Sequence, residues 1–280
     1  MFQYAMGRAL SIRYGIPLAL DLYGFEFDKF YRRKYELEFF CIPRDIIKVN
    51  YPVKFRLCRL FRRFSESNRI ITRLLWPKLL VEASGEYEKQ NTRLVPKINA
   101  YIMGYWQDER YFKDCSETIR HDLELSSGFS KANKEMAGFI KSVNAVAIHV
   151  RRLHDVATRP SSVPQANAMQ KGIALDVDYY NCAIAQIRAR VIDPYFIVFS
   201  DFPQWARENL DLHNAGVFLE KDRGPDYEDM CLMSLCKHHI IANSSFSWWG
   251  AWLARNETKV VIAPSNVRHI PSIPENWICI

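Results

Sequence analysis

Asp229-Met-Cys-Leu-Met-Ser-Leu-Cys-Lys-His-His-Ile-Ile-Ala-Asn-Ser-Ser-Phe-Ser-Trp-Trp-Gly-Ala-Trp-Leu253 sets a hydroxyl- and amide-rich turn between two apolar runs. Met230, Met233, Ser234 and Lys237 recur at helical spacing, and Ile240-Ile241-Ala242 then reads as a buried strand. Residues 243–247 therefore fall at a strand's carboxyl end, where open α/β sheets bind ligands. From Trp248 the run reads as a bulky helix, whose amino end offers N–H groups and partial positive charge to an anion such as phosphate. The simpler alternative is a serine cap before an aromatic core helix. Three serines, an asparagine and three tryptophans in one turn and helix favour a ligand site.

Two further stretches have the same grammar. In Val146-Ala-Ile-His149-Val-Arg151-Arg152-Leu-His154-Asp155 an apolar strand delivers His149 and two guanidinium forks, the usual protein answer to phosphate or carboxylate oxygens. In Tyr195-Phe-Ile-Val-Phe-Ser200-Asp201-Phe-Pro-Gln-Trp205 an apolar strand ends in a polar pair before a helix. A solvated basic face is the alternative for the arginines, and an ordinary cap before Pro203 for Ser200. Three strands ending in polar groups point to one cleft.

Working outward, residues 140–264 alternate strand and helix, the βα rhythm of a parallel sheet with nucleotide at its switch point. The expected elements are strands at 145–150, 195–199, 216–219, 240–242 and 259–263, and helices at 177–190, 205–210, 227–237 and 248–254. Residues 1–135 hold a helix at 2–14 closed by Gly15, a strand at 16–21, a basic insertion, a strand at 100–103 and a polar helix from Asp114. A linker is expected at 128–134. The domains are thus 1–135 and 140–280.

With 280 residues, 49% hydrophobic and 25% charged, the chain has ordinary globular usage. Seven scattered cysteines favour reduced thiols and a cytoplasmic setting over a disulfide framework. Cys231, Cys236, His238 and His239 match no common zinc spacing. The net charge of +7 draws on a basic, bulky stretch from Lys54 to Arg63. That stretch reads either as an amphipathic helix on the inner face of a membrane or as a solvated helix with snorkelling arginines. No nucleic-acid recognition motif accompanies the charge.

The motifs resemble the α-1,2-fucosyltransferases of glycosyltransferase family 11, which move L-fucose from GDP-fucose to the 2-hydroxyl of a galactoside. His149-Val-Arg151-Arg152 is similar to the family's H-x-R-R-G-D, and Phe199-Ser200-Asp201 to its F-S-D-D. Ile241 to Trp252 is similar to its near-terminal signature. Met1-Phe-Gln3-Tyr4-Ala5, Gly104-Tyr105-Trp106-Gln107 and Ile273-Pro274-Glu275-Asn276-Trp277 extend the resemblance over nearly the whole chain. It implies two facing Rossmann-like domains of GT-B type. The amino-terminal domain serves a galactose-containing glycan acceptor, free or lipid-linked, and the carboxyl-terminal one serves GDP-fucose. Transfer inverts the sugar carbon and requires no metal or other cofactor.

The site residues carried over are Arg151, Arg152, Asp155 and Asp201 for catalysis. His149, Arg151, Arg152, Asp229, Asn243, Ser244, Ser245 and Phe246 hold the donor, and Gln3, Tyr105 and Trp106 line the acceptor cleft. The arginines stabilise charge on the leaving β-phosphate, the 244–245 turn holds the diphosphate, and Asp229 with His149 reads the nucleoside. Either Asp155 or Asp201 is the general base.

Three departures qualify the resemblance. Leu153-His154 replaces Gly-Asp and displaces the carboxylate to Asp155, while Phe202 replaces the second carboxylate of F-S-D-D. In the family a strand and a Gly-Asn-Gln loop precede the helix that Phe2 opens here. The expectation is that these elements are missing, that this impairs transfer, and that a longer chain carrying them transfers better. The alternatives are an impaired GDP-sugar-binding homologue and a fucosyltransferase of different linkage.

Overall fold

The computed structural model describes residues 1–26, 28, 34–51, 53, 79–81, 100–152, 174–265 and 271–280, with 79–81 described for the backbone alone. The chain divides into two compact units, Met1–Ser127 and Gly128–Ile280. Both are α/β, and every described strand pairing within their sheets is parallel.

In the first unit, α1 (Phe2–Tyr14) buries Phe2, Tyr4, Ala5, Met6, Ala9 and Leu10. Strand β1 (Ala19–Asp21), followed by the short α2 (Tyr23–Glu26), pairs with β2 (Ile47–Val49), and β3 (Leu79–Val81) with β4 (Tyr101–Met103). Neither β2 nor β3 was evident in the sequence. Asp122, at the end of α3 (Ser116–Asp122), is only 3% exposed. Its carboxylate accepts from Tyr4 Oη at 2.6 Å and Arg8 Nε at 2.9 Å, so the buried charge is paired from α1.

In the second unit, α4 (Lys131–Ser142) leads into β5 (Ala145–Val150). There follow α5 (Val177–Arg188), β6 (Tyr195–Ser200), α6 (Pro203–Asn209) and β7 (Gly216–Phe218). The chain then returns through α7 (Asp226–Leu235), β8 (His238–Ile240), α8 (Ser245–Leu253), β9 (Val261–Ala263) and β10 (Ile278–Cys279). The strand order β7-β6-β5-β8-β9-β10 is the 3-2-1-4-5-6 order of a dinucleotide-binding sheet. Its switch point lies between β5 and β8.

Strand alternation divides the core into two faces. Val146, Ile148 and Val150 of β5, with Phe196 and Val198 of β6, pack on Tyr180, Ala183, Ile184 and Ile187 of α5 and Ala206 of α6. Ala145 and Ala147, with Ile197 and Phe199, pack on Ala137 and Ile140 of α4 and Leu232 and Met233 of α7. A sheet buried on both sides explains why its strands read as continuous apolar runs.

Three differences from the sequence reading bear on the site. Helix α8 begins at Ser245 rather than Trp248, because Ser244 takes an extended conformation and its side chain accepts from Phe246 N–H. α4 starts at Lys131, inside the stretch read as linker. β10, only two residues long, adds an unanticipated strand beside β9. No helix among the described residues is long and apolar enough to cross a membrane. The basic stretch from Lys54 to Arg63 lies outside the described residues.

Candidate active site

The carboxyl ends of β5, β6 and β8 bring the three sequence motifs to one edge of the sheet. After β5 the arginines part company. Arg152 continues on the side of Val150: its guanidinium carbon lies 4.0 Å from the Trp205 ring centroid, and Nη1 donates to Leu175 O at 2.7 Å. Arg151 instead reaches Asp201 Oδ2 from Nη1 at 3.2 Å and keeps 40% of its side chain exposed. Asp201 Oδ1 accepts the Arg152 backbone N–H at 2.8 Å. One carboxylate thus fixes the turn and one of its forks. The two arginines, read as a joint phosphate clamp, occupy different surroundings because strand alternation persists beyond β5.

Ser200 is not the cap of α6, whose N-cap position is Phe202 without a side-chain capping bond; its Oγ instead accepts from Phe202 N–H at 2.9 Å in the turn before Pro203. His149 lies on the other face and is 5% exposed, with its ring 5.7 Å from that of Phe246. Its Nδ1 is buried without a partner among the described residues. Burial first, and then the charge of Arg151, push the imidazole pKa down to about 3, so it is neutral at working pH. A neutral imidazole with an unused nitrogen suits a hydrogen bond to a ligand rather than an ion pair.

Across the switch point Ser244 caps α8, and Ser247 Oγ accepts from Ala242 N–H at 3.2 Å while donating to Ser244 O at 3.3 Å. These bonds set the turn and leave Ser245 exposed at the head of the helix. Asn243, 6% exposed, lies just before it. Behind, Trp248 is wholly buried, stacked on Trp252 at 6.1 Å and donating from Nε1 to Ser272 O at 3.0 Å. Gly250 lets α8 approach α7 closely, since a Cβ there would lie 2.8 Å from Met233 Cβ. Truncating a ring such as Trp248 costs about 3–5 kcal/mol, a large part of the ~5–15 kcal/mol of a domain's stability. The helix head is therefore held by a rigid core.

Asp229 sits in the first turn of α7, its Oδ1 accepting from Arg223 Nη2 at 2.7 Å. Burial raises its pKa to about 6, against the pull of Arg223. Asp155 lies outside the described residues. In the first unit Gln3 Nε2 donates to Gly104 O at 2.7 Å, and Tyr105 is 52% exposed. Trp106 is 1% exposed and meets Tyr111 edge-on at 5.2 Å, so its ring is core while that of Tyr105 is open to a ligand.

Sequence reasoning missed Arg223, Glu228, Asn133 and the stacking role of Trp205. His238 and His239 are structural. His238 Nδ1 accepts from Val260 N–H at 3.0 Å, and His239 Nε2 meets Met233 O at 2.9 Å.

Residues 76–275 match the family described as Glycosyl transferase family 11. The chain is 30% identical to an alpha-1,2-colitosyltransferase of Escherichia coli over 99% of its own length and 93% of that protein's. It is 30% identical to the O-antigen biosynthesis glycosyltransferase WbnK of Escherichia coli, covering 83% and 78% of the two chains. Galactoside alpha-(1,2)-fucosyltransferase 2 of Sus scrofa is 28% identical over 59% of this chain, which spans about half of it (54%). The solved fucosyltransferase NodZ from Bradyrhizobium is 13% identical with a TM-score of 0.46, covering 89% of this chain and 86% of that one. That likeness adds nothing to the strand order already described. The chain belongs to glycosyl transferase family 11.

Proposed function

We propose that the protein transfers L-fucose from GDP-fucose to the 2-hydroxyl of a galactoside with inversion. The observation that carries this reading is the meeting of His149, Arg151 and the head of α8 at the sheet's switch point. A nucleoside diphosphate needs one cation, one cluster of N–H donors and one base-reading group, and these are the groups present. Breaking the fucosyl–phosphate bond leaves negative charge on the β-phosphate, and Arg151 meets that charge. Ser244, Ser245 and the first-turn N–H groups of α8 hold the diphosphate. Asn243 and Phe246 flank that turn.

Asp229 reads guanine through its N1–H and 2-amino group, with neutral His149 beside the nucleoside. Asp201, with both oxygens engaged by the arginine turn, positions Arg151, and the general-base role passes to Asp155. Arg152 acts from the opposite face as a support. Cationic neutralisation of the phosphates makes a metal unnecessary. Gln3 and Tyr105 serve the acceptor, a galactose-containing glycan that is free or lipid-linked.

A second reading rests on the 30% identity to a colitosyltransferase over nearly the whole chain: the same site with a colitosyl donor. The test supplies each GDP-sugar with a β-galactoside and determines the product linkage by NMR. An α-1,2-fucosylated product at the higher rate is expected. Faster colitosyl transfer selects the second reading, and nucleotide binding without either product reduces the protein to an impaired GDP-sugar-binding homologue.

A further inference from the structure

Behind the carboxyl end of β7, a chain of polar side chains leads from the amino end of α4 to Asp229. Glu228 is 4% exposed and accepts from Ser130 N–H at 3.0 Å, Ser130 Oγ at 2.7 Å and Asn133 Nδ2 at 2.7 Å. Asn133, wholly buried, turns its Oδ1 to Arg223 Nη1 at 2.7 Å. Arg223 also donates from Nε to Glu220 O at 3.0 Å and from Nη2 to Asp229 Oδ1 at 2.7 Å. Gly224 makes room for this cluster, since a Cβ there would lie 2.9 Å from Asn133 Nδ2.

We propose that Arg223 is the positioning residue of the base-reading carboxylate: it fixes Asp229 through Oδ1 and leaves Oδ2 turned to the guanine. The inference rests on the reading above that Asp229 meets the base. Three acceptors in three directions, Glu220 O, Asn133 Oδ1 and Asp229 Oδ1, hold the guanidinium plane, which a lysine ammonium cannot match. With Arg223 held in this way, its partner carboxylate is held too. Oδ2 has no protein partner among the described residues, and the Asp229 side chain retains 28% exposure.

The charges facing Asp229 are Arg223, from the turn after β7, and Asp226 and Glu228 on its own helix. Asn133 of α4 reaches the pair only through Arg223 and is neutral. Arg223 is thus the cation that opposes burial and two like charges, each of which favours the protonated acid. Only the ionised carboxylate accepts from both guanine donors. Affinity for GDP is therefore full above the Asp229 pKa and is lost as pH falls through it. Removing Arg223 moves that loss to higher pH.

The test is GDP titration calorimetry from pH 5 to 8.5 on wild type, Arg223→Gln and Arg223→Lys, with ADP as the probe that lacks guanine. Thermal denaturation of each variant reports its folding. Wild type should lose GDP affinity as pH falls through about 6. In Arg223→Gln the midpoint should rise by about two units, the size of shift a lost opposite charge produces, so that GDP affinity at pH 7 falls about tenfold while ADP affinity holds. Arg223→Lys should shift the midpoint less yet still lower the GDP-to-ADP ratio, because the charge remains and the fork does not. A wild-type midpoint and ratio in Arg223→Gln overturns the proposal. Should that variant fail to fold, the same result in Arg223→Lys overturns it. Asp229→Asn separates the two claims. Unchanged GDP affinity there removes the base reading itself, whereas a flat pH profile there with a wild-type profile in Arg223→Gln removes only the role of Arg223.

Discussion

The two faces of the parallel sheet end differently at its carboxyl edge. On the α5–α6 face, Arg152 packs on Trp205 and donates from Nη1 to the Leu175 carbonyl, while its buried Nε has no partner among the described residues. On the α4–α7 face, among the described residues, His149 keeps a buried nitrogen and Asp229 a carboxylate oxygen without a partner, and Arg151 keeps an exposed fork. The sheet supplies both faces with apolar packing, and among the described residues the α4–α7 face holds the larger share of the unused and exposed polar capacity. Unused polar capacity inside a well-packed unit costs stability, so its gathering with the exposed Arg151 fork on the α4–α7 face favours that face for a ligand.

The sharpest way to break this contrast is to remove each arginine. Arg151→Ala should lower transfer about 100-fold or more, the loss typical of a donor aimed at developing charge, with little change in melting temperature. An equal loss in Arg152→Ala at unchanged stability would make the faces equivalent.

The histidines sharpen the contrast through pH. His149 and His239 have pKa values pushed down to about 3, chiefly by burial. A group whose folded pKa lies below its unfolded value contributes stability above the unfolded value, near 6.5, and loses it as pH falls. Each should cost about 1.4 kcal/mol per pH unit below about 6. Urea midpoints at pH 7 and pH 5 check this. His239→Gln should flatten the slope, and an unchanged slope would mean that the ring is not buried neutral.

Smaller effects are expected from Arg152→Ala, which gives up a cation–π stack of about 0.5–2 kcal/mol and a hydrogen bond of about 1 kcal/mol. Thermal denaturation should show a drop of several degrees, with transfer lowered about tenfold through a loosened turn at Arg151. The smallest expected effect is that of a chelator. Transfer in EDTA should match that in added magnesium, and loss of transfer would contradict phosphate neutralisation by arginine.

What the sequence made legible follows from physical range. The runs 145–150 and 195–200 announce themselves because a strand buried on both faces must be apolar at every position. The polar ends of those strands, and the turn before α8, follow from the same pattern. The start of α8 was placed three residues late because Ser245-Phe-Ser247 looks like turn composition, whereas the capping bond of Ser244 pulls these residues into the helix. The different fates of Arg151 and Arg152 were implicit in period-two alternation carried past Val150.

The network around Arg223 was beyond reach. Asn133 and Glu228 are 95 positions apart, and Asn133 and Arg223 are 90 apart. No local pattern marks such partners, although Arg223-Gly224-Pro225-Asp226 is a cation and a tight turn ahead of a helix. Trp106 was read as cleft-lining from its motif alone, and burial against Tyr111 came from packing that no motif encodes.

The most direct measurement is a crystal structure of the protein with GDP. The diphosphate should contact the Arg151 guanidinium and the N–H groups at the head of α8, with the guanine edge on Asp229 Oδ2 and His149 at the nucleoside. A diphosphate bound instead at Arg152 and Trp205, or a guanine away from Asp229, would contradict the assignment of the ligand to the α4–α7 face.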